Sequence, residues 1–217
     1  MALDPEVLTY VAGGAGDEHT QARNVSAFDR YGLVPRMLAG AAERDLSVSL
    51  LGLELPTPLL LAPIGVIGLC DRDGHGDLAT ARAAARTGVP MIASTLSEDP
   101  LEDVAAALGD TPGLFQLYTP ADRELAQSFV SRAEAAGFKA IVVTLDTQIL
   151  GWRPRDLALA SFPQLKGRCL ANYFCDPVFR AKLERPPERI RARRRCSGRW
   201  ASATRRWAGG TSRGCAR

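Results

Sequence analysis

Residues 113–155, GLFQLYTPADRELAQSFVSRAEAAGFKAIVVTLDTQILGWRPR, decide the fold that the sequence predicts. Two short apolar runs in this stretch, residues 114–118 and 140–145, predict strands; the second is rich in the β-branched residues that favour sheets. The residues between them have the pattern of one amphipathic helix. A strand, a helix and a second strand of these lengths indicate two parallel strands joined by a right-handed crossover.

Polar side chains close both apolar runs. Gln116 and Tyr118 share one face of the first run, and Thr144 lies near the end of the second. A buried amide or hydroxyl without a partner costs about 1–3 kcal/mol, so these side chains need hydrogen bonds. In parallel α/β folds, ligands bind at the carboxyl ends of the strands. The three side chains therefore either bond to one another or face a ligand, and for any one of them alone we favour the first alternative.

The same pattern occurs twice more before this unit. Residues 59–62 and 89–94 are apolar runs that predict two further strands. Four consecutive strand–helix units indicate an α/β fold built on parallel strands. Residues 47–55 predict a small hairpin around Gly52, and residues 1–16 predict a short helix that ends in a glycine run. Each predicted parallel strand ends near a glycine or polar residue, respectively Gly65, Ser94, Gln116 and Thr144.

The crossover helices are predicted from the residues at their ends. Each begins after an Asp or Thr that suits an N-cap and ends at a glycine that suits a left-handed stop. Glu102 follows one of these N-caps at the spacing of a capping box. The predicted pairs of N-cap and stop are Asp77 with Gly88, Asp99 with Gly109, and Thr119 with Gly137.

The composition of the 217 residues suits a globular protein, since 46% are hydrophobic. No apolar run approaches the roughly 18 residues that span a bilayer, and the N-terminus has no signal-peptide pattern. The five cysteines fit neither a zinc pattern nor a redox pair, so we expect free thiols and a cytoplasmic location. Residues 73–77, DGHGD, predict a turn into a helix rather than a metal site.

The basic charge is confined to the end of the chain. The formal net charge is +3, but residues 189–217 contain ten arginines and no Lys, Asp or Glu, which leaves a net of −7 for residues 1–188. We expect residues 189–217 to be a disordered tail, and we interpret it as the product of a frameshift near codon 188. A nucleic-acid-binding arm is the alternative. We disfavour it because basic arms usually mix Lys with Arg, whereas this tail carries Cys and Trp.

Several segments together resemble one enzyme family. RNVSAFDRYGLVPRML, LLLAPIGVIGL, FQLY, AEAAGFKAIVVTLDT and GWRPRDL are similar to the FMN-dependent enzymes that oxidise 2-hydroxy acids, the glycolate oxidase and lactate oxidase group. GWRPRDL and FPQLKGRCLANYFCDPVFRAKL are most similar to its lactate 2-monooxygenase branch. The resemblance covers about residues 8–187. It implies an α/β fold in which residues 1–188 are the first half of a (β/α)8 TIM barrel, with about four β/α units.

The resemblance also implies a site and a chemistry. It implies FMN as cofactor, a small 2-hydroxy acid such as lactate and oxygen as reactants, and a homo-oligomer. Its histidine base and active-site lysine have no counterpart here, so the chain is expected to be inactive by itself, and the alternative is a half-barrel that binds flavin without catalysis. The implied substrate residues are Tyr10, Tyr118 and Arg153, with Arg153 as a bidentate carboxylate ligand. The implied flavin contacts are Pro63, Ile64, Gly65, Ser94, Gln116 and Thr144.

Overall fold

The computed structural model describes residues 3–40, 42–147, 149–159 and 162–184. The described residues divide between two compact units, one within residues 1–58 and 151–161 and the other within residues 59–150 and 162–217. The arginine-rich segment that we expect to be a disordered tail lies outside the described residues.

The first unit contains short helices and a hairpin. Its helices are α1 (Pro5–Ala12), α2 (His19–Ser26) and, from the later part of the chain, α6 (Pro154–Ala158). Strands β1 (Val48–Leu50) and β2 (Leu53–Leu55) pair antiparallel. The turn between them has φ 54° at Leu51 and φ 76° at Gly52, as a two-residue hairpin turn requires. The predicted hairpin and the predicted N-terminal helix are confirmed.

The second unit is organised on a parallel sheet. Strands β3 (Met91–Ala93), β4 (Gly113–Leu117) and β5 (Ile141–Val143) pair in that order, and both pairings are parallel. All residues of the central strand β4 are buried. The three strands predicted from residues 89–145 are therefore confirmed, each within a few residues of its expected bounds.

The strand predicted at residues 59–62 does not form. Leu61 makes an isolated parallel bridge with Met91, in which its N–H donates to Pro90 O (2.8 Å) and its carbonyl accepts from Ile92 N (3.0 Å). Pro63 follows two residues later and has no N–H to donate, so the ladder does not extend past the bridge. The described chain thus has three parallel strands and one bridged segment where four strands were expected.

Helices cover this sheet and form the core with it. They are α3 (Gly76–Thr87), α4 (Leu101–Leu108), α5 (Arg123–Ala135), α7 (Ala171–Cys175) and α8 (Pro177–Ala181). Phe115, Phe129, Leu101 and Leu125 are among the largest fully buried side chains, and each contributes about 1.5–3 kcal/mol of burial energy. Among the described residues, no helix has the length and apolar character needed to cross a membrane.

The predicted helix stops are correct. Gly88 and Gly109 follow α3 and α4 directly, with φ of 70° and 57°, and Gly137 lies just beyond α5 with φ 93°. A left-handed φ is strained for residues with a Cβ, so glycine is the residue that ends these helices locally.

The three predicted N-caps are wrong. Asp77 lies inside the first turn of α3, Pro100 occupies the cap position of α4, and α5 begins after Asp122 rather than Thr119. Asp122 caps α5 because its Oδ1 accepts from the N–H groups of Glu124 (3.0 Å) and Leu125 (3.3 Å).

Distant partners explain why the other expected caps do not form. Asp99 bonds to the ring of His75, and Asp77 accepts from Glu98 N (3.4 Å). Glu102, expected to close a capping box, instead accepts two hydrogen bonds from Arg132 (2.8 and 2.9 Å). Burial raises the pKa of Glu102, but the hydrogen bonds and charge of Arg132 outweigh it and hold that pKa below its ordinary value. Tertiary hydrogen bonds and ion pairs therefore replace local capping at these carboxylates.

The cap of α5 gives a direct test of this correction. We expect Asp122→Ala to lower the free energy of unfolding by about 1 kcal/mol, because two N–H groups lose their acceptor. Asp122→Asn keeps an acceptor and removes only the exposed ion pair with Lys182, so it should cost less. Thr119→Ala is the control and should change stability by less than about 0.5 kcal/mol. Urea unfolding followed by circular dichroism measures all three; a larger loss for Thr119→Ala than for Asp122→Ala would contradict the assignment.

Candidate functional site

A buried amide connects the carboxyl ends of the three parallel strands. Gln116, in β4, is 1% exposed. Its Oε1 accepts from Ser94 Oγ (3.3 Å) and from Thr95 N (3.1 Å), and its Nε2 donates to Thr144 Oγ1 (2.8 Å). The structure therefore brings together three of the residues expected at the flavin, Ser94, Gln116 and Thr144. They form one row of hydrogen bonds across the sheet, here called the strand-end row.

The strand-end row leaves particular protons for a ligand. The hydroxyl of Ser94 donates to Gln116 and accepts from Leu96 N (3.1 Å), so its proton is used. Thr144 Oγ1 is an acceptor in the row, which leaves its own proton to donate elsewhere. Gln116 Nε2 likewise uses one of its two protons within the row. These donors suit a ring edge that carries carbonyl and imine acceptors, so the residues fit the flavin that the resemblance implies.

The segment of Pro63, Ile64 and Gly65 lies beside this row. A Cβ placed on Gly65 would stand 3.6 Å from Ser94 Oγ, and Val66 N donates to Leu96 O (3.1 Å). Val66 is buried with φ 70°, a conformation that is uncommon for a β-branched residue. Backbone strain of this kind is concentrated at binding sites. The apolar character of Val66 gives no sign of this conformation in the sequence.

Thr95 is a site residue that the sequence reasoning missed. Its fully buried hydroxyl donates to the backbone carbonyl of Gln116 and accepts from the N–H of Tyr118 (3.1 Å). It therefore joins the ends of β3 and β4. The signal in the sequence was a second hydroxyl residue directly after Ser94. Tyr118, one of the expected substrate residues, is half-buried at this position.

The other two expected substrate residues meet in the first unit. The guanidinium of Arg153 lies over the ring of Tyr10, 4.8 Å from its centroid. Nη2 of Arg153 donates to the carbonyls of Tyr10 and Gly13, the latter at 2.8 Å. Nε pairs with Asp156 Oδ2 at 3.0 Å. Asp156 was not foreseen; it is fully buried, its side-chain oxygens make no hydrogen bond within the described residues, and Arg153 is its ion-pair partner.

These contacts limit what Arg153 can offer to a substrate. Both protons of Nη2 are used by two backbone carbonyls, and Nε lies 3.0 Å from Asp156 Oδ2 as an ion pair without a hydrogen bond. Within the described residues, the two Nη1 protons make no hydrogen bond. A bidentate bond through both terminal nitrogens therefore needs one carbonyl contact to open. The carboxylate-binding role of Arg153 stays a prediction, with Nη1 as its available donor group.

A second polar cluster precedes α3 and α4. The ring of His75 bonds through Nδ1 to the buried carboxylate of Asp99, and this hydrogen bond and charge raise the pKa of His75. Burial raises the pKa of Asp77 to about 6, and the charge of Asp99 adds to the shift. Among the described residues, no group of three His, Cys, Asp or Glu side chains is suited to hold a metal ion.

The chain is similar to flavoproteins along most of its length. The profile of the family described as FMN-dependent dehydrogenase matches residues 1–209, a span that continues past Glu188 into the arginine-rich segment. An L-lactate oxidase of Lysinibacillus sphaericus is 45% identical over 174 residues, 80% of this chain and 45% of that protein. The FMN-dependent alpha-hydroxy acid dehydrogenase qulF of Penicillium citrinum is 41% identical over 188 residues, 87% of this chain and 46% of that protein.

Solved structures of lactate and mandelate oxidases are similar to this chain as well. A lactate oxidase of Pediococcus acidilactici superposes with a TM-score of 0.69 at 34% identity, covering 73% of this chain and 44% of that one. A mandelate oxidase variant with (S)-mandelic acid superposes with a TM-score of 0.67 at 35% identity, covering 73% and 46%. The chain thus spans about half the length of the curated relatives it matches.

The raised pKa values predict how stability depends on pH. Asp77 moves from 3.8 to about 6 on folding, so the folded state binds more protons and the free energy of unfolding falls as pH rises from about 4 to 6. His75 acts in the same direction above pH 6.5, because its pKa is also raised.

We expect Asp77→Asn to be more stable than the wild type at pH 7, by up to about 3 kcal/mol, and to match it near pH 4. Urea unfolding at a series of pH values measures the difference. Asp73→Asn, at an exposed position of the preceding turn, is the control and should leave the pH dependence between about pH 4 and 6 unchanged, because Asp73 contributes to the pKa of His75 but not to that of Asp77. A constant difference between Asp77→Asn and the wild type at all pH values would contradict the shift.

Proposed function

The chain belongs to the FMN-dependent dehydrogenase family, and from that premise we propose that it provides the flavin-ring side of an enzyme that oxidises a small L-2-hydroxy acid such as lactate. The observation that supports the proposal is the strand-end row. Gln116 lies in β4, Ser94 and Thr144 directly follow β3 and β5, and all three are among the flavin contacts that the family resemblance implies. Bound FMN would supply the redox chemistry, by accepting the reducing equivalents of the substrate.

The residues of the strand-end row would hold the flavin ring by its polar edge. The free proton of Thr144 and the second amide proton of Gln116 are the donors, and the backbone of residues 63–65 lies beside Ser94. Because Gln116 is fixed by bonds on both ends of its amide, it would not reorganise when the ring binds.

Substrate binding would fall to Tyr10, Tyr118 and Arg153. We propose that the Nη1 donors of Arg153 attract the carboxylate, while Asp156 holds the guanidinium in orientation. A buried carboxylate that neutralises part of the arginine charge also limits how strongly this arginine attracts anions in general. The two tyrosines would bond to the carboxylate or hydroxyl oxygens of the acid.

The chain by itself is proposed to lack turnover, because the histidine base and the active-site lysine that the family resemblance implies have no counterpart among its 217 residues. The lactate 2-monooxygenase outcome, a homo-oligomer and a cytoplasmic location belong to the same proposal. So does the frameshift origin of residues 189–217, which translation of the downstream DNA in the other frames would test.

Flavin titration of the 217-residue chain tests the binding part of the proposal. We expect weak, saturable quenching of FMN fluorescence without lactate-dependent oxygen uptake. Thr144→Val removes the donor of the strand-end row and should weaken FMN binding about tenfold, equivalent to about 1.4 kcal/mol. Thr144→Ser keeps the hydroxyl and should bind as the wild type does, and Thr111→Val is the remote control. Oxygen uptake by the chain alone would contradict the proposed absence of a base.

A chimera tests the substrate part. Residues 3–184 would replace the matching segment of the Lysinibacillus sphaericus L-lactate oxidase, and the chimera is expected to retain FMN and oxidise L-lactate. Arg153→Lys in the chimera should raise KM at least tenfold with little change in FMN content, since lysine cannot reproduce the planar fork. Steady-state oxygen uptake gives both constants. A chimera that binds FMN but oxidises no 2-hydroxy acid would refute the proposed activity.

A further inference from the structure

A buried asparagine far along the chain fixes the loop that carries part of the strand-end row. Asn172, in α7, is 0% exposed. Its Nδ2 donates to the backbone carbonyls of Ser94 (3.3 Å) and Thr95 (3.0 Å), and its Oδ1 accepts from Leu101 N at the start of α4 (2.8 Å). The orientation of this amide is chemically determined, because two carbonyls require its nitrogen and one N–H requires its oxygen.

The contacts of Asn172 lead to the strand-end row through Thr95, whose N–H donates to Gln116. Thr95 N is purely a donor, so the Gln116 atom that it meets must be Oε1, and Nε2 must then face Thr144. That direction makes Thr144 Oγ1 an acceptor in the row and leaves its proton for a ligand. A shift of the Ser94–Thr95 backbone would break the hydrogen bond from Thr95 N to Gln116 Oε1. The contact that fixes the orientation of the Gln116 amide would then be lost.

We propose that Asn172 is a positioning residue of the flavin site. By holding the Ser94–Thr95 backbone, it fixes which groups of the strand-end row donate hydrogen bonds and which accept them. This inference rests on the proposed function for its consequence, although the positioning itself is a property of the folded chain. Without Asn172, two buried carbonyls and one buried N–H would lose their hydrogen-bond partner. Each loss costs enough free energy to shift the backbone toward another partner.

The neighbourhood of Asn172 provides a matched control. Arg132 Nη1 donates both to the backbone carbonyl of Asn172 (2.8 Å) and to Asp176 Oδ2 (3.2 Å). Asp176 is equally buried and also bonds to Ser128 Oγ (2.7 Å) and Phe179 N (3.0 Å). Its hydrogen bonds are made with α5 and α8 rather than with the Ser94–Thr95 backbone. Asp176→Asn should therefore disturb the segment around Asn172 without disturbing the strand-end row.

Two substitutions separate the role of the donor group of Asn172, Nδ2, from that of its acceptor group, Oδ1. Asn172→Asp keeps an oxygen for Leu101 N but loses both donors to the Ser94 and Thr95 carbonyls. Asn172→Ser removes the amide without adding a buried charge, and it serves if the aspartate variant does not fold. Amide hydrogen exchange of the full chain, followed by NMR, reads out the hydrogen bonds of the backbone N–H groups of Thr95, Tyr118 and Leu101 individually.

In Asn172→Asp we expect exchange at Thr95 and Tyr118 to accelerate at least tenfold, while Leu101 keeps its protection. In Asn172→Ser all three should accelerate, and in Asp176→Asn none should accelerate beyond the change in global stability. FMN titration of the same proteins should show about tenfold weaker binding for both Asn172 variants and unchanged binding for Asp176→Asn.

Unchanged exchange at Thr95 and Tyr118 in both Asn172 variants would overturn the inference. So would an equal loss of FMN affinity in Asp176→Asn, since that would make the effect one of general stability. A wild-type chain that binds no FMN would refute the proposed function instead, and the exchange of the Thr95 and Tyr118 amides would then decide the positioning role by itself.

Discussion

The buried amide of Gln116 needs hydrogen-bond partners, and this need constrains the rest of the second unit. It sits in a central strand whose residues are all buried, where an unpaired amide would cost a large share of a small domain's stability. Its partners come from the ends of the neighbouring strands, so the strands must end at matching heights for the bonds to form. The hydrogen bonds that stabilise this part of the sheet are therefore also those that give it a defined polar edge.

The same requirement extends outward from the sheet. The direction of the Gln116 amide depends on Thr95, and the backbone of Thr95 depends on Asn172, whose own carbonyl is held by Arg132. Arg132 in turn pairs with the half-exposed Glu102 and the buried Asp176, so two carboxylates set the position of its guanidinium. In the first unit, Asp156 and Arg153 repeat the principle, since a fully buried carboxylate orients the cation proposed to meet the substrate.

The proposed division of labour in the enzyme follows from what these residues can and cannot do. Amides and hydroxyls at the strand ends can bind and orient a flavin, but they do not remove a proton from carbon at neutral pH.

The edge of the sheet at β5 exposes apolar side chains. Val143 at the end of β5 and Leu145 just after it are 49% and 79% exposed, and apolar residues at a sheet edge favour pairing with other chains. Weak folding and poor solubility are accordingly expected for the chain alone.

The sequence by itself determined three of the four predicted parallel strands, the helix stops and the polar residues near the strand ends. These features depend on apolar periodicity, on glycines such as Gly88 that adopt a left-handed φ, and on the position of Ser94, Gln116 and Thr144 after apolar runs. All of them act over a few residues, which is why a linear pattern reveals them.

Only the tertiary structure decided the partners of the buried polar groups. Asp77 and Asp99 suit N-caps locally but bind elsewhere, and nothing near Asn172 or Asp156 in the sequence indicates that they hold a distant backbone or an arginine. A hydrogen bond or ion pair between residues many positions apart depends on which groups folding brings within about 3 Å, and no local propensity contains that distance.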